Sequence, residues 1–217
     1  MRVMALAMML CGLLVGCQSK TDDPAVVPTR VMAAVKPVSA GVAADANLTT
    51  YRDPKTGVSF AYPKVWVVSA DSPSYMGGAL PPSYGEPRAS FAFSPKGNLY
   101  EKTVLLGLVF SYAVKQAANE AACTEGFATM GNVDAGKRVT VNGIGFTEYV
   151  GGDAGMCHEQ AHQIDVAYRD GQCVAFERDV NTECYGAGDG KRRLTEQEKK
   201  ALQRHLDAVM QSVRVEK

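Results

Sequence analysis

The chain has no excess of charge of either sign: 23 Lys and Arg residues stand against 23 Asp and Glu, for a formal net charge of zero. A nucleic-acid-binding domain carries a clearly basic face, so nucleic acid is not an expected partner. Histidine is scarce, with three in 217 residues, which narrows the metal centres the chain could build. No apolar run reaches the ~20 residues of a membrane-spanning helix. The G-x-S-x-G pattern of a strained serine nucleophile is missing, and so is a phosphate-cradling glycine loop at a helix start. The glycines of GGDAG at 151–155 read as a turn. Asp189-Gly190 reads as a loop with too few carboxylates around it for calcium.

The N-terminus is informative. Arg2 is followed by apolar residues 3–15 and then small residues up to Cys17, the layout of a signal peptide covering residues 1–16. Its end, Leu14-Val15-Gly16-Cys17, resembles the lipobox of bacterial lipoproteins, in which the chain is cut before the cysteine and the cysteine is acylated. Lipidation at Cys17 would make a membrane the first partner, since each buried methylene contributes ~0.8 kcal/mol. Gln18 stands where an aspartate would resemble an inner-membrane retention signal, so the expected location is the outer membrane, facing the periplasm. Residues 17–50 then form the lipidated cysteine and a tether rich in Ala, Val and small polar residues, with prolines at 24, 28 and 37 that oppose continuous structure. As a flexible coil of ~30 residues it would span ~30 Å. Residues 51–217 have the size of one domain.

Within that domain Val58, Phe60 and Tyr62 alternate as in a half-buried strand. Asn142-Gly143 and Asp170-Gly171 each sit between alternating runs and accept the positive φ angles of a two-residue hairpin turn. KQAANEAAC reads as a helix ending in Cys123. Residues 192–215 read as a second helix: Thr195 and Glu198 have capping-box spacing. Leu202, Leu206, Val209, Met210 and Val213 share one of its faces, with His205 at the solvent edge of that stripe. Between strands lies a long Gly, Pro and Tyr loop at 69–88, and loops of this length are often functional. It is the expected contact for a partner.

Four cysteines fall in the domain: Cys123, Cys157, Cys173 and Cys184. An even number in an exported protein indicates disulfides, for which three connectivities are open. Counting back from a loop at Asp170-Gly171 sets Cys157 opposite Cys184 and His162 opposite Asp179. The cysteines then occupy a hydrogen-bonded position, where a cross-strand bridge fits less well unless a bulge intervenes.

Residues 158–162 read His-Glu-Gln-Ala-His and match the H-E-x-x-H signature of zinc peptidases, with His158 and His162 as ligands and Glu159 as general base. The signature requires a helix, where the two imidazoles stand one turn apart. On a strand they would be ~13 Å apart, too far for bonds of ~2.1 Å to a single ion. Ile164, Val166 and Tyr168 alternate toward the Asp170-Gly171 turn, so the segment is expected to be a strand. The zinc hydrolase is the alternative reading; the leading one has no metal, no cofactor and no catalytic residue.

Tyr51-x5-Gly57-Val58-Ser59-Phe60-x-Tyr62-Pro63-x2-Trp66, with Val141-Asn142-Gly143, Gly171-x-Cys173 and the closing Ser212-Val213-Arg214-Val215, resembles PsbP-type domains, named for an accessory protein of the photosynthetic oxygen-evolving complex. The resemblance runs over about 51–215 through short structural motifs. It implies an α/β (α+β) sandwich: a mainly antiparallel central sheet with helices on both faces. It also implies a Cys123–Cys173 disulfide, which would leave Cys157 to pair with Cys184. PsbP-like domains act as accessory or binding modules, so the expectation is a lipid-anchored envelope protein whose domain binds an envelope partner.

Overall fold

The computed structural model describes residues 47–69, 80–84, 87–95, 100–127, 130, 133–155, 157–184 and 190–216, all within the compact unit Ser39–Lys217. The signal peptide, Cys17, the tether up to residue 46, most of the 69–88 loop and Asp189 lie outside the described residues.

The alternating residues form strands as their period requires. Strand β1 (Leu48–Asp53) and strand β2 (Val58–Pro63) pair antiparallel, and the short β10 (Arg214–Val215) lies on the other side of β2. The larger sheet contains β3 (Val67–Ser69), β4 (Ala89–Phe93), β5 (Leu105–Gln116), β6 (Lys137–Val141), β7 (Ile144–Gly155), β8 (His158–Arg169) and β9 (Gln172–Glu183). Its order is β3-β4-β5-β9-β8-β7-β6, antiparallel throughout. Helix α1 (Glu120–Thr124) and helix α2 (Glu196–Gln211) complete an α+β fold. Both expected hairpin turns form, with Asn142 and Gly143 at φ 51° and 77° and Asp170 and Gly171 at φ 48° and 80°.

The sequence overestimates α1. Lys115 and Gln116, assigned from KQAANEAAC to a helix, extend β5, where they pair with Cys173 and Gln172 of β9. Pairing with the long hairpin outweighs alanine-rich helix propensity, which is a weak preference. The helix starts only after Asn119, whose side chain caps the Ala122 N–H. Strand β1 starts at Leu48, so residues 48–50, placed at the end of the tether by the sequence, join the small sheet.

Two cores form on opposite faces of the large sheet. On one, Phe60 of β2 meets Phe91 and Phe110 at ring-centroid distances of 5.0 Å each, and Tyr112 stacks on Phe176. Leu202, Leu206, Val209 and Met210 of α2 close this core. Full burial of each such side chain contributes ~1.5–3 kcal/mol. The helix is held at its start by the expected Thr195/Glu198 capping box. Beside this core the buried Arg178 guanidinium bonds Asp165 and Asp207, with Glu148 at 3.6 Å. Burial pushes the Asp165 carboxyl up to about 6, with Arg178 opposing the rise.

On the opposite face Cys123 of α1 is bonded to Cys173 of β9. Phe127 stacks on Tyr149 with centroids 4.5 Å apart, and the Tyr84 hydroxyl donates to the Cys123 carbonyl at 2.7 Å.

Candidate functional site

The face that carries the disulfide changes character along β8 and β9. Near their turn it is apolar, with Ile164, Val166, Cys173 and Ala175 in the second core. Farther from the turn the same face presents Gln160 and His162 from β8, and Glu177, Asp179 and Asn181 from β9. Register sets His162 opposite Asp179, Gln160 opposite Asn181, and Ser111 of β5 between Glu177 and Ser90 of β4. These groups stay buried although they are polar: His162 is 3% exposed, Asp179 4% and Asn181 3%.

Their hydrogen bonding is incomplete. Ser90 and Ser111 hydroxyls meet at 3.0 Å. The Asp179 carboxyl is bonded to Glu177 and to Gln160. Burial first, then the neighbouring Glu177 charge, pushes Asp179 well above the ordinary carboxylate range. Its Oδ1 has no partner, nor do Asn181 Oδ1 and both ring nitrogens of His162. Burial lowers the His162 pKa, with Asp153 opposing, which favours the neutral ring. Buried polar atoms are nearly always bonded, so the five unpartnered atoms of this face, His158 Nδ1 included, against Arg178 Nε and Asp165 Oδ1 on the other, mark it as the place to look for a ligand. The cross-strand His162/Asp179 placement expected from counting is present, but the ring nitrogens of His162 bond nothing.

His158, Glu159 and His162 all lie on β8. The two histidines share a face but are four residues apart on a strand, ~13 Å, and Glu159 projects to the opposite face, opposite Thr182 in the ladder. Among the described residues no three His, Cys, Asp or Glu side chains are grouped so as to hold a metal ion. Cys157 and Cys184 face each other beyond the last rung of β8–β9, with the Cys184 N–H bonded to the Cys157 carbonyl at 2.8 Å. They are separate thiols here, unlike the expected bridge. Cys157 stands in the turn before β8 at positive φ, outside the ladder, and no bond joins the two sulfurs. His205 is half-buried on α2, and burial lowers its pKa.

Reading the sequence by motif singled out HEQAH, with Gln160 only as a spacer in it, and missed Glu177 and Asn181. The signal was present in the alternation of Glu177, Asp179 and Asn181, three polar residues at period two on a strand whose preceding members are Cys173 and Ala175. Among the described residues no helix is long and apolar enough to cross a membrane.

No family model matches the chain and no curated protein does. Among solved structures it is similar to the solution structure of cyanobacterial PsbP (CyanoP) from Synechocystis sp. PCC 6803, at 17% identity and a TM-score of 0.42, over 82% of this chain and 98% of that one. It is also similar to LpqN, involved in cell envelope biogenesis of Mycobacterium tuberculosis, at 10% identity and a TM-score of 0.42, over 80% and 94% of the two chains. A protein of Bacteroides thetaiotaomicron is similar at 12% identity and a TM-score of 0.42, over 79% of this chain and 50% of that one.

Proposed function

We propose that this is a lipid-anchored protein of a bacterial envelope, held by an acylated Cys17 on the outer membrane and facing the periplasm, whose domain binds an envelope partner without catalysing a reaction. The observation that carries the reading is Leu14-Val15-Gly16-Cys17 at the end of a short apolar run. The Cys123–Cys173 bond supports an oxidising compartment. The strand geometry of HEQAH speaks against the hydrolase alternative. The partner is expected on the 69–88 loop, whose described residues Leu80 and Tyr84 cover the apolar part of the disulfide face.

Metabolic labelling with an alkyne fatty acid tests the anchor. The wild-type chain in a Gram-negative host should carry the label and fractionate with outer membrane, whereas Cys17→Ser should lose the label and leave the membrane. An unlabelled wild type would overturn the proposal. For the partner, residues 70–79 are the segment to replace, because Tyr84 and Arg88 beyond them anchor the core through Cys123 and Asp53. The shortened protein should fold and lose cross-linking to its partner; unchanged cross-linking would remove this loop from the contact.

A further inference from the structure

Among the described residues three non-glycine residues have positive φ, each in a turn between strands: Asn142 at 51°, Asp170 at 48° and Cys157 at 73°. Asn and Asp are the side chains that tolerate this conformation best. Cysteine has no such advantage, and glycine or asparagine would fit the β7–β8 turn with less strain. What distinguishes Cys157 is what stands beside it. Cys184 leaves β9 directly across from it, with the backbone bond of 2.8 Å between them, and the Cys157 sulfur is near enough to push the Cys184 thiol pKa up. The two sulfurs are thus already neighbours in a fold complete without a bond between them.

We propose that Cys157 and Cys184 form a thiol–disulfide exchange site that opens and closes in the folded protein, in contrast to the buried, permanent Cys123–Cys173 bridge. Three features favour exchange. Cys157 is exposed and Cys184 partly so, so a small disulfide or thiol reaches them, whereas Cys123 and Cys173 are both fully buried. Cys157 belongs to a turn and not to a ladder, so a small rotation there serves the bonded state without moving β8 or β9. Finally, the Cys157 sulfur pushes the Cys184 thiol pKa up, and Cys157, the more exposed of the two, meets an oxidant first.

The oxidant is a disulfide, either of glutathione type or on an oxidised protein dithiol. The Cys157 thiolate attacks one sulfur of R–S–S–R; a Cys157–S–R bond forms, the R–S–S–R bond breaks, and one RS⁻ leaves. The Cys184 thiolate, its proton passed to solvent, then attacks Cys157 Sγ, forming the Cys157–Cys184 bond and expelling the second RS⁻. Two electrons pass from the cysteine pair to the oxidant, which ends as two thiols. Reduction is the reverse, through the same mixed disulfide.

The test equilibrates the full-length chain with oxidised and then reduced glutathione, quenches by alkylation and maps the cysteines by mass spectrometry. The expected result is a Cys157–Cys184 bond in oxidised glutathione that returns to two thiols in excess reduced glutathione, while Cys123–Cys173 stays oxidised throughout. The proposal falls if the pair stays reduced in oxidised glutathione, if it stops at glutathione adducts, or if its bond survives reduced glutathione as the buried bridge does. The variant Cys157→Asn suits the turn and keeps the fold, and in it Cys184 should form no intramolecular bond. A bond from Cys184 to Cys123 or Cys173 in that variant would overturn the pairing.

Discussion

The two faces of the large sheet treat buried charge in opposite ways. On the α2 face Arg178 is surrounded by Asp165, Asp207 and Glu148, and the aromatic core packs against them. On the other, His162, Asp179 and Asn181 are equally buried, yet atoms of each have no bond. Neighbouring residues of one strand serve both, since Arg178 and Asp179 point to opposite sides of β9. Burial of a polar group therefore does not identify a site in this protein. Each face leaves buried atoms unpartnered, Arg178 Nε and Asp165 Oδ1 included. The distinction is that ion pairs tie Arg178 to its carboxylates, whereas Asp179 has Glu177 and Gln160 beside it in place of a cation.

If the α2 face is the structural one, the largest losses of stability should come from it. Phe176→Ala removes a ring that contacts Phe60, Phe110, Tyr112 and Phe146 and should cost ~3–5 kcal/mol in urea denaturation. Arg178→Met leaves Asp165 buried without its cation and should cost ~3–5 kcal/mol at neutral pH. That loss should shrink toward about pH 5 as Asp165 takes up a proton. A cost under ~1 kcal/mol at neutral pH would mean that the network contributes no more than an exposed ion pair, and the contrast between the faces would weaken. Next comes the bridge on the opposite face. The double variant Cys123→Ala, Cys173→Ala opens a link between residues 50 apart in sequence and should cost ~2–4 kcal/mol.

Much of this arrangement is legible in the sequence because it rests on turns and periods. Asn142-Gly143 and Asp170-Gly171 determine the β6–β7 and β8–β9 hairpins, and the second sets the His162/Asp179 register residue by residue. The same register argument removes HEQAH from its helix. What sequence reasoning lost depends on tertiary pairing: Lys115 and Gln116 join β5 only because β9 is beside them. The small sheet is hidden for a similar reason, because β10 is two residues long and exists through its pairing with Ser59 and Val58. The polar face was the subtler miss. A motif search looks for residues close in sequence, whereas this constellation is spread over β4, β5, β8 and β9 and becomes visible only when the ladders are aligned.

The smallest effect is the most discriminating, because it asks whether the polar face contributes to the fold at all. Asp179 has its folded-state pKa raised well above the ordinary carboxylate value, by burial and by Glu177. A carboxyl raised in this way binds more protons when folded than when unfolded, so its contribution to stability is greatest below the unfolded pKa and declines as pH rises toward the folded one. Asp179→Asn keeps a neutral side chain of the same shape at every pH. The variant should match wild type near about pH 3.5 and gain on it steadily as pH rises toward neutrality. The pH profile is the readout, since a residue engaged in essential structural bonds would lose stability on substitution across the whole range. His162 gives the opposite slope: its folded-state pKa is lowered from 6.5, so wild type loses stability as pH falls below that value, and His162→Phe should remove this loss. If both substitutions instead destabilise the domain at neutral pH by more than ~2 kcal/mol, these groups complete a structural network as Arg178 does, and the two faces differ in packing alone. A gain in stability combined with loss of partner cross-linking would show that the chain keeps Asp179 and His162 at the expense of stability, as a binding face requires.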